Sequence, residues 1–287
     1  MIPAAFEYYA PATVEEALQL LRELGPEAKL LAGGHSLLPM MKLRLSTPKA
    51  LVDIGRIPDL RYIREEGNTL AIGATTTHWM IESSEVVRNR VPLLAEAAGR
   101  IGDVQVRNMG TIGGSLAHAD PAADYPAAIL ALEAEIVAQG PRGKRSIPAA
   151  EFFKGLFTTA LEPDELLVEV RIPVPVEKSG AAYLKFPHPA SGFAVVGCAA
   201  LLTLDGGRCQ KARVAFTGVT EKAFRDRAVE DALTGKAPDE KTIASASQKA
   251  AEGVEPLSDI FASAEYRKHL AKVFARRALM AAASRAH

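Results

Sequence analysis

Two adjacent glycines at the end of an apolar run constrain this chain more than any other stretch. In Lys29-Leu30-Leu31-Ala32-Gly33-Gly34-His35-Ser36-Leu37-Leu38-Pro39, a short run of strand character ends in Gly33-Gly34; a hydroxyl and a second apolar run follow. Without two Cβ atoms the chain can turn sharply there, and another group can approach its backbone closely. Successive exposed amides in such a turn form a concave anion site, and Ser36 adds a hydroxyl donor. The same arrangement recurs in Gly110-Thr111-Ile112-Gly113-Gly114-Ser115. Two such turns, each closed by a serine, fit one elongated, doubly charged ligand such as a pyrophosphate. They also fit two unrelated structural turns, and geometry alone leaves both readings open.

The commoner phosphate motifs fail on spacing. No G-x-G-x-x-G follows a strand, so a Rossmann dinucleotide site is not supported. Residues 140–146 carry a Gly-Lys pair without P-loop spacing and read as a solvated basic hairpin tip. His35, His78, His118 and His188 form no local metal-binding pattern, and His78 reads as a helix-start or core residue. The two cysteines, Cys198 and Cys209, lack ligand spacing, so no iron–sulfur or zinc site is expected in this chain. Their scarcity suits a reducing cytoplasm. Lysine plus arginine equals aspartate plus glutamate, 34 each, which points away from nucleic acid and from anionic membrane surfaces. Residues 1–7 show no secretory signal, and the longest apolar run, 194–203, is too short to span a bilayer.

A length of 287 residues allows more than one domain. Thr13-Val14-Glu15-Glu16 reads as a capping box that opens a helix, and Gly25-Pro26 stops it. Strands at 28–32 and 50–54 then flank the first glycine turn, a small α/β unit. Residues 62–63 and 70–73 read as strands of a meander, and helices follow around Trp79 and over 93–98. The segment 101–120 reads as a long polar loop, dense in Asp103, Gln105, Arg107, Asn108, His118 and Asp120, and such loops are usually functional. A helix at 127–132 and strands at 135–139 and 166–172 precede a linker at 173–180. Strands are expected at 182–186, 193–204 and 213–217, with Asp205-Gly206-Gly207 as a hairpin turn. The tail reads as three helices, 225–233, 239–252 and 263–284.

The segment from Ala32 to Pro39, together with Arg107-Asn108-Met109-Gly110-Thr111-Ile112-Gly113-Gly114, resembles the FAD-binding medium subunits of molybdenum hydroxylases. These form the carbon monoxide dehydrogenase and xanthine dehydrogenase group. The likeness runs through Asp120-Pro121-Ala122-Ala123-Asp124 and Lys185-Phe186-Pro187-His188-Pro189-Ala190-Ser191-Gly192, nearly the whole chain. His35-Ser36 and His188-Pro189-Ala190-Ser191 are most similar to the carbon monoxide dehydrogenase-like branch. The resemblance implies an α+β fold. A two-part FAD-binding domain of the vanillyl-alcohol-oxidase/PCMH type would occupy residues 1–57 and 58–176. A C-terminal domain, 177–287, would hold a three-stranded antiparallel sheet with helices.

The same resemblance implies that Ala32, Gly33, Gly34, His35 and Ser36 hold the pyrophosphate. Thr111, Ile112, Gly113, Gly114 and Ser115 complete the site from the other side. Asp124 is expected against the flavin and ribityl side, with Lys185 approaching the cofactor and Phe193 beside the isoalloxazine. Lys29 is expected at the nucleotide end. Ser115 stands where the family often has asparagine and lacks the amide donors. Phe193 stands where the family often has tyrosine and keeps the stacking face without the hydroxyl.

A protein of this kind serves in an electron relay. The resemblance implies a molybdenum cofactor on a large partner subunit, two [2Fe–2S] centres on a small one, and FAD on this chain. It also implies a dimer of heterotrimers in the cytoplasm, with no general base or nucleophile supplied by this chain. The alternatives are a self-sufficient FAD-dependent oxidoreductase and a non-catalytic assembly subunit whose glycine turns are structural.

Overall fold

In the computed structural model, which describes residues 1–286, strand β1 (Glu7–Tyr9) leads to helix α1 (Val14–Leu24). Thr13 caps that helix as its sequence requires: its hydroxyl accepts the Glu16 amide, while the Glu16 carboxylate accepts the Ala12 amide at 2.8 Å. The helix stops at Gly25, which sits at φ +65°, a conformation that glycine adopts without strain. Val14, Ala17, Leu18 and Leu21 lie on one face at helical spacing and are buried. They pack on a parallel sheet of order β1–β3–β2, with β2 at Ala28–Leu31 and β3 at Ala50–Asp53. Between β2 and β3 the chain makes the first glycine turn and then a short helix, α2 (Leu37–Lys42).

The second sheet is antiparallel, of order β4–β5–β10–β6–β7. Its strands are β4 (Ile63–Glu66), β5 (Thr69–Gly73), β6 (Glu135–Gly140) and β7 (Gly143–Pro148). The small hairpin β8 (Phe153–Gly155) and β9 (Thr158–Thr159) precedes the last strand, β10 (Leu166–Pro173). The sheet's central strands β6 and β10 are buried on both faces by alternation. On β6, Ile136 and Ala138 face the main core, whereas Val137 faces α1 and the N-terminal sheet. On β10, Leu166 and Val168 face the N-terminal unit but Val170 and Ile172 face the main core. That change of parity requires an extra residue, and the ladder to β6 shifts register between Leu167 and Glu169.

The main core is completed by α3 (His78–Ser83), α4 (Glu85–Arg90), α5 (Pro92–Gly99), α6 (Val104–Met109), α7 (Ile112–His118), α8 (Asp124–Ala131) and a single turn, α9 (Ala149–Phe152). Two of these correct the sequence reading, which expected one long loop over 101–120. Asp103 caps α6 by accepting the Val106 amide at 2.8 Å, and Thr111 caps α7 by accepting the Gly114 amide at 3.1 Å. Part of the polar density of the segment is therefore helix capping. Paired glycines disfavour a helix by about 1 kcal/mol each, which is why α7 is not evident from propensity.

The C-terminal sheet has the three long antiparallel strands expected and a two-residue fourth. Its order is β11–β12–β13–β14: β11 (Ser179–Pro187), β12 (Ala194–Asp205), β13 (Arg208–Thr217) and β14 (Phe224–Arg225). Gly206 and Gly207, at φ +53° and +77°, turn β12 into β13. Residues 194–203 are buried on both faces, which accounts for their unbroken apolar run. One face packs on α10 (Arg227–Leu233), α11 (Glu240–Ser247) and α12 (Ala264–Arg285); the other joins the main core through Ala199 and Leu201.

Gly113 is present for packing. A Cβ there would lie 2.6 Å from the Ala74 Cβ and 2.7 Å from its carbonyl oxygen. Helix propensity favours Gly113→Ala by about 1 kcal/mol, but overpacking of this kind costs about 1–3 kcal/mol. Gly113→Ala is therefore expected to lower the urea midpoint, the opposite of the propensity effect. A raised midpoint would show that the α7–β5 contact relaxes freely.

Candidate functional site

The first glycine turn is built by close backbone approach. A Cβ on Gly33 would run into the Met109 carbonyl and come within 2.7 Å of the Gly110 Cα. Gly34 sits at φ +74°, and its carbonyl accepts the Leu38 amide to begin α2. Among the described residues, the amides of Gly33, Gly34, His35 and Ser36 have no protein acceptor. Ser36 precedes α2 without making a side-chain cap, so its hydroxyl is also free. These groups line a cavity of about 650 Å³, within the size range of small-molecule and cofactor sites.

The second glycine segment reaches the same cavity but differs from the expected turn. Residues 76–78 run beside 110–112: the His78 amide donates to the Gly110 carbonyl at 3.0 Å, and the Ile112 amide to that of Thr76 at 3.1 Å. The Gly113 amide donates to Ala74, Gly114 to the Thr111 hydroxyl, and Ser115 to the Thr111 carbonyl. The amides of 112–115 are thus already engaged, so this segment is not a second anion nest. Gly114 has another use: a Cβ there would lie 2.8 Å from the Thr111 hydroxyl that caps α7 and 3.8 Å from the Ala32 Cβ of the first segment.

Of the residues nominated from sequence, Lys29, Ala32, Gly33, Gly34, His35, Ser36, Thr111, Gly113, Gly114, Ser115, Asp124 and Phe193 line this one cavity. Ile112 is fully buried in the main core instead. Lys185 is placed behind the wall, its side chain only 3% exposed. Its Nζ lies 2.9 Å from the Asp124 carboxylate and also donates to the carbonyls of Arg100 and Gly192. The Tyr183 hydroxyl donates to Asp124 as well. Burial pushes the Asp124 carboxyl up to about 6, against the lowering influence of Lys185 and Tyr183.

Through Gly192, Lys185 also anchors the turn from His188 to Phe193. Within it the His188 Nδ1 accepts the amides of Ala190 and Ser191, and Gly192 takes φ +74°. Ser191, Gly192 and Phe193 line the cavity, and Phe193 is 43% exposed. Sequence reasoning did not nominate His78, His118, Asp120, Phe157, Ser191 or Gly192 as lining residues. The His118 and Phe157 rings approach to 5.1 Å from α7 and the β8–β9 hairpin. No local spacing joins those elements, so no sequence signal marks the pair. For Ser191 and Gly192 a signal existed, because the family-like run quoted above contains them.

The arrangement suits a long, amphipathic ligand with an anionic middle. Unpaired amides and the Ser36 hydroxyl provide donors, while Leu31, Leu37, Met40 and Leu166 provide apolar wall. The residues present therefore fit FAD, whose pyrophosphate joins two ring systems.

Comparison with known proteins agrees. Residues 4–175 match the family described as the FAD binding domain in molybdopterin dehydrogenase, and residues 181–282 match the CO dehydrogenase flavoprotein C-terminal domain. The chain belongs to this family of FAD-binding flavoprotein subunits. Its relatives include the carbon monoxide dehydrogenase medium chain of Hydrogenophaga pseudoflava, 47% identical over 99% of both chains. Another is the 6-hydroxypseudooxynicotine dehydrogenase complex subunit alpha of Paenarthrobacter nicotinovorans, 40% identical over 100% of this chain and 97% of that one. The fold superposes on a solved carbon monoxide dehydrogenase of Hydrogenophaga pseudoflava lacking the Mo-pyranopterin moiety, with a TM-score of 0.97 at 48% identity and full coverage of both chains.

Removing the Lys185 ammonium would leave Asp124 buried without its cation. Lys185→Met is expected to cost about 3–5 kcal/mol in urea denaturation. The sign with pH follows from the raised carboxyl: without Lys185 the Asp124 pKa rises further, so acid neutralises the orphaned charge. The deficit should narrow as pH falls toward about 6 and level off below it, where Asp124 is protonated in both proteins. A deficit that stays constant or widens as pH falls toward about 6 would contradict this.

Proposed function

We propose that this chain is the FAD-carrying electron-transfer subunit of a molybdenum hydroxylase of the carbon monoxide dehydrogenase type. The observation that carries the reading is the cavity shared by the unpaired Gly33–Ser36 amides and the Gly110–Ser115 segment. The amides of Gly33, Gly34, His35 and Ser36, with the Ser36 hydroxyl, take the phosphate oxygens. Ala32 and Gly114 keep the backbone walls close to the cofactor, and Thr111 and Ser115 border it from α7. Asp124 and Phe193 stand on the flavin side and Lys29 at the nucleotide end. Lys185 acts through Asp124 and Gly192. Residues 1–57 and 58–176 serve as the two parts of the FAD-binding domain, and 177–287 closes the flavin side with Phe193.

When bound, FAD accepts electrons from a partner and passes them to an external acceptor; the redox chemistry is the cofactor's. The protein binds, orients and shields it. The input half lies on partner chains: a large subunit with the molybdenum cofactor and a small one with [2Fe–2S] centres, in a dimer of heterotrimers in the cytoplasm. Among the described residues no helix is long and apolar enough to cross a membrane. The substrate is set by the large subunit. Relatives of this chain at similar identity belong to complexes named for carbon monoxide and for 6-hydroxypseudooxynicotine.

Titration of the full chain with FAD, followed by visible absorbance, tests the cofactor assignment. Wild type is expected to take up one FAD, and Ser36→Ala to weaken binding by about 1.5–3 kcal/mol, the contribution of a hydrogen bond to a charged group. Wild type that takes up no FAD, alone or with its partners, would overturn the reading.

The relay makes a separate prediction. Under anaerobic conditions carbon monoxide, an aldehyde or a purine should leave the flavin of the isolated chain oxidised. The same flavin should be bleached by the substrate of the complex once both partner subunits are added. Rapid bleaching of the isolated chain would favour a self-sufficient oxidoreductase.

A further inference from the structure

His78 is a buried polar side chain in the cavity wall that the fold leaves unpartnered. It is 4% exposed and lines the cavity, and its Nδ1, but not its Nε2, is enclosed without a hydrogen-bond partner among the described residues. Its position is set by backbone: the His78 amide is bonded to Gly110, and the ring lies flush against that glycine. A Cβ on Gly110 would lie 2.5 Å from the His78 Nε2. Gly110 has φ −61° and ψ 145°, open to any residue, so glycine is required there to make room for the ring.

The ionisable groups facing His78 come from three elements. They are His35 from the first turn, Arg107 from α6 and Tyr125 from α8, whose ring meets it edge-on at 5.2 Å. Burial, with the neighbouring charges of His35 and Arg107, holds the imidazole pKa down to about 3, so the ring is neutral at ordinary pH. A neutral ring carries one proton. On the enclosed Nδ1 it would create an orphaned N–H; on Nε2 it leaves only an acceptor unpaired, the less costly defect. Nε2 therefore carries the donor, beside Gly110, which itself borders the cavity.

We propose that His78 is a further cofactor-binding residue, donating a hydrogen bond from Nε2 to a phosphate oxygen of the FAD held by the first glycine turn. The inference rests on the FAD reading above. It explains why a histidine occupies a core position at the start of α3. It also gives a reason for the contact of Met109-Gly110 with both Gly33 and His78: one backbone segment sets the turn and the ring beside the same cavity.

The test is FAD titration of the full chain, alone or with its partners, for wild type, His78→Phe and His78→Gln. The phenylalanine variant keeps ring volume without a donor and should bind about tenfold more weakly or worse. The glutamine variant keeps a donor and should stay nearer to wild type. Histidine-labelled ¹⁵N spectra of the wild-type chain give a readout independent of whether His78→Phe folds. One ring, assigned by its loss in His78→Gln, should be in the Nε2-protonated form, and its Nε2 resonance should move on FAD addition. Wild type that takes up no FAD overturns the cofactor reading and this inference with it. Wild type that binds FAD while His78→Phe binds as tightly, or while that Nε2 resonance stays fixed, overturns this inference alone and makes His78 a packing residue against Tyr125.

Discussion

The site depends on three pieces of backbone lying closer together than side chains would allow. The first turn rests on Met109-Gly110 through Gly33, and Gly110 rests on the His78 ring. Hydrogen bonds between residues 76–78 and 110–112 tie the last two layers, and Gly113 seats the start of α7 on Ala74 at the end of β5. The N-terminal unit is thereby held at a fixed distance from the second sheet, and the cavity is the space left between them. The turn's amides can remain without protein acceptors because the contacts that fix the turn are made by carbonyls and Cα atoms. Unpaired amides in a site not fully buried are a moderate cost, offset when an anion or water takes them.

A second constraint ties the C-terminal sheet to the same cavity. The Asp124–Lys185 pair is almost wholly buried, unlike Lys49–Glu27, whose side chains are 74% and 58% exposed. Exposed pairs contribute about 0–1 kcal/mol. Buried pairs gain little net stability, because desolvation of both ions offsets their attraction. The pair's contribution is therefore geometric. From one ammonium on β11 it fixes the start of α8, the end of α5 through the Arg100 carbonyl, and the 188–193 turn through Gly192. Charge at this point specifies position at three elements that no local sequence signal connects.

That distinction also separates what could be read from the sequence from what could not. The cap at Thr13, the first glycine turn, the Gly206-Gly207 hairpin and the doubly buried β12 are local or periodic features, and each was legible. Helices α6 and α7 were not, because their caps resemble loop residues and their glycines oppose helix by propensity. Ile112 and Lys185 came from likeness rather than from geometry; the first points into the core, and the second sits behind the wall. The roles of His78, His118 and Phe157 arise only when elements distant in sequence meet. The pattern is general: alternation and capping reveal elements, whereas the polar atoms that face a ligand are set by tertiary contacts between them.

Phe193 shows how such contacts compensate for a change of residue. A tyrosine at this position, as the resemblance of the sequence leads one to expect, would bring a hydroxyl to tether the ring, and phenylalanine has none. Here the backbone around the ring is tethered instead. The Phe193 carbonyl accepts the His188 amide at 2.7 Å, the Gly192 amide donates to the His188 carbonyl at 2.9 Å, and Lys185 holds the Gly192 carbonyl at 2.7 Å. The turn is further backed by the His188 ring against Phe261 at 4.3 Å. With its position set by main-chain bonds on both sides, the ring needs no polar anchor of its own. Its half-exposed face at the cavity is left for contact with an aromatic ligand. The absence of a hydroxyl therefore leaves in place the geometry that a stacking role requires.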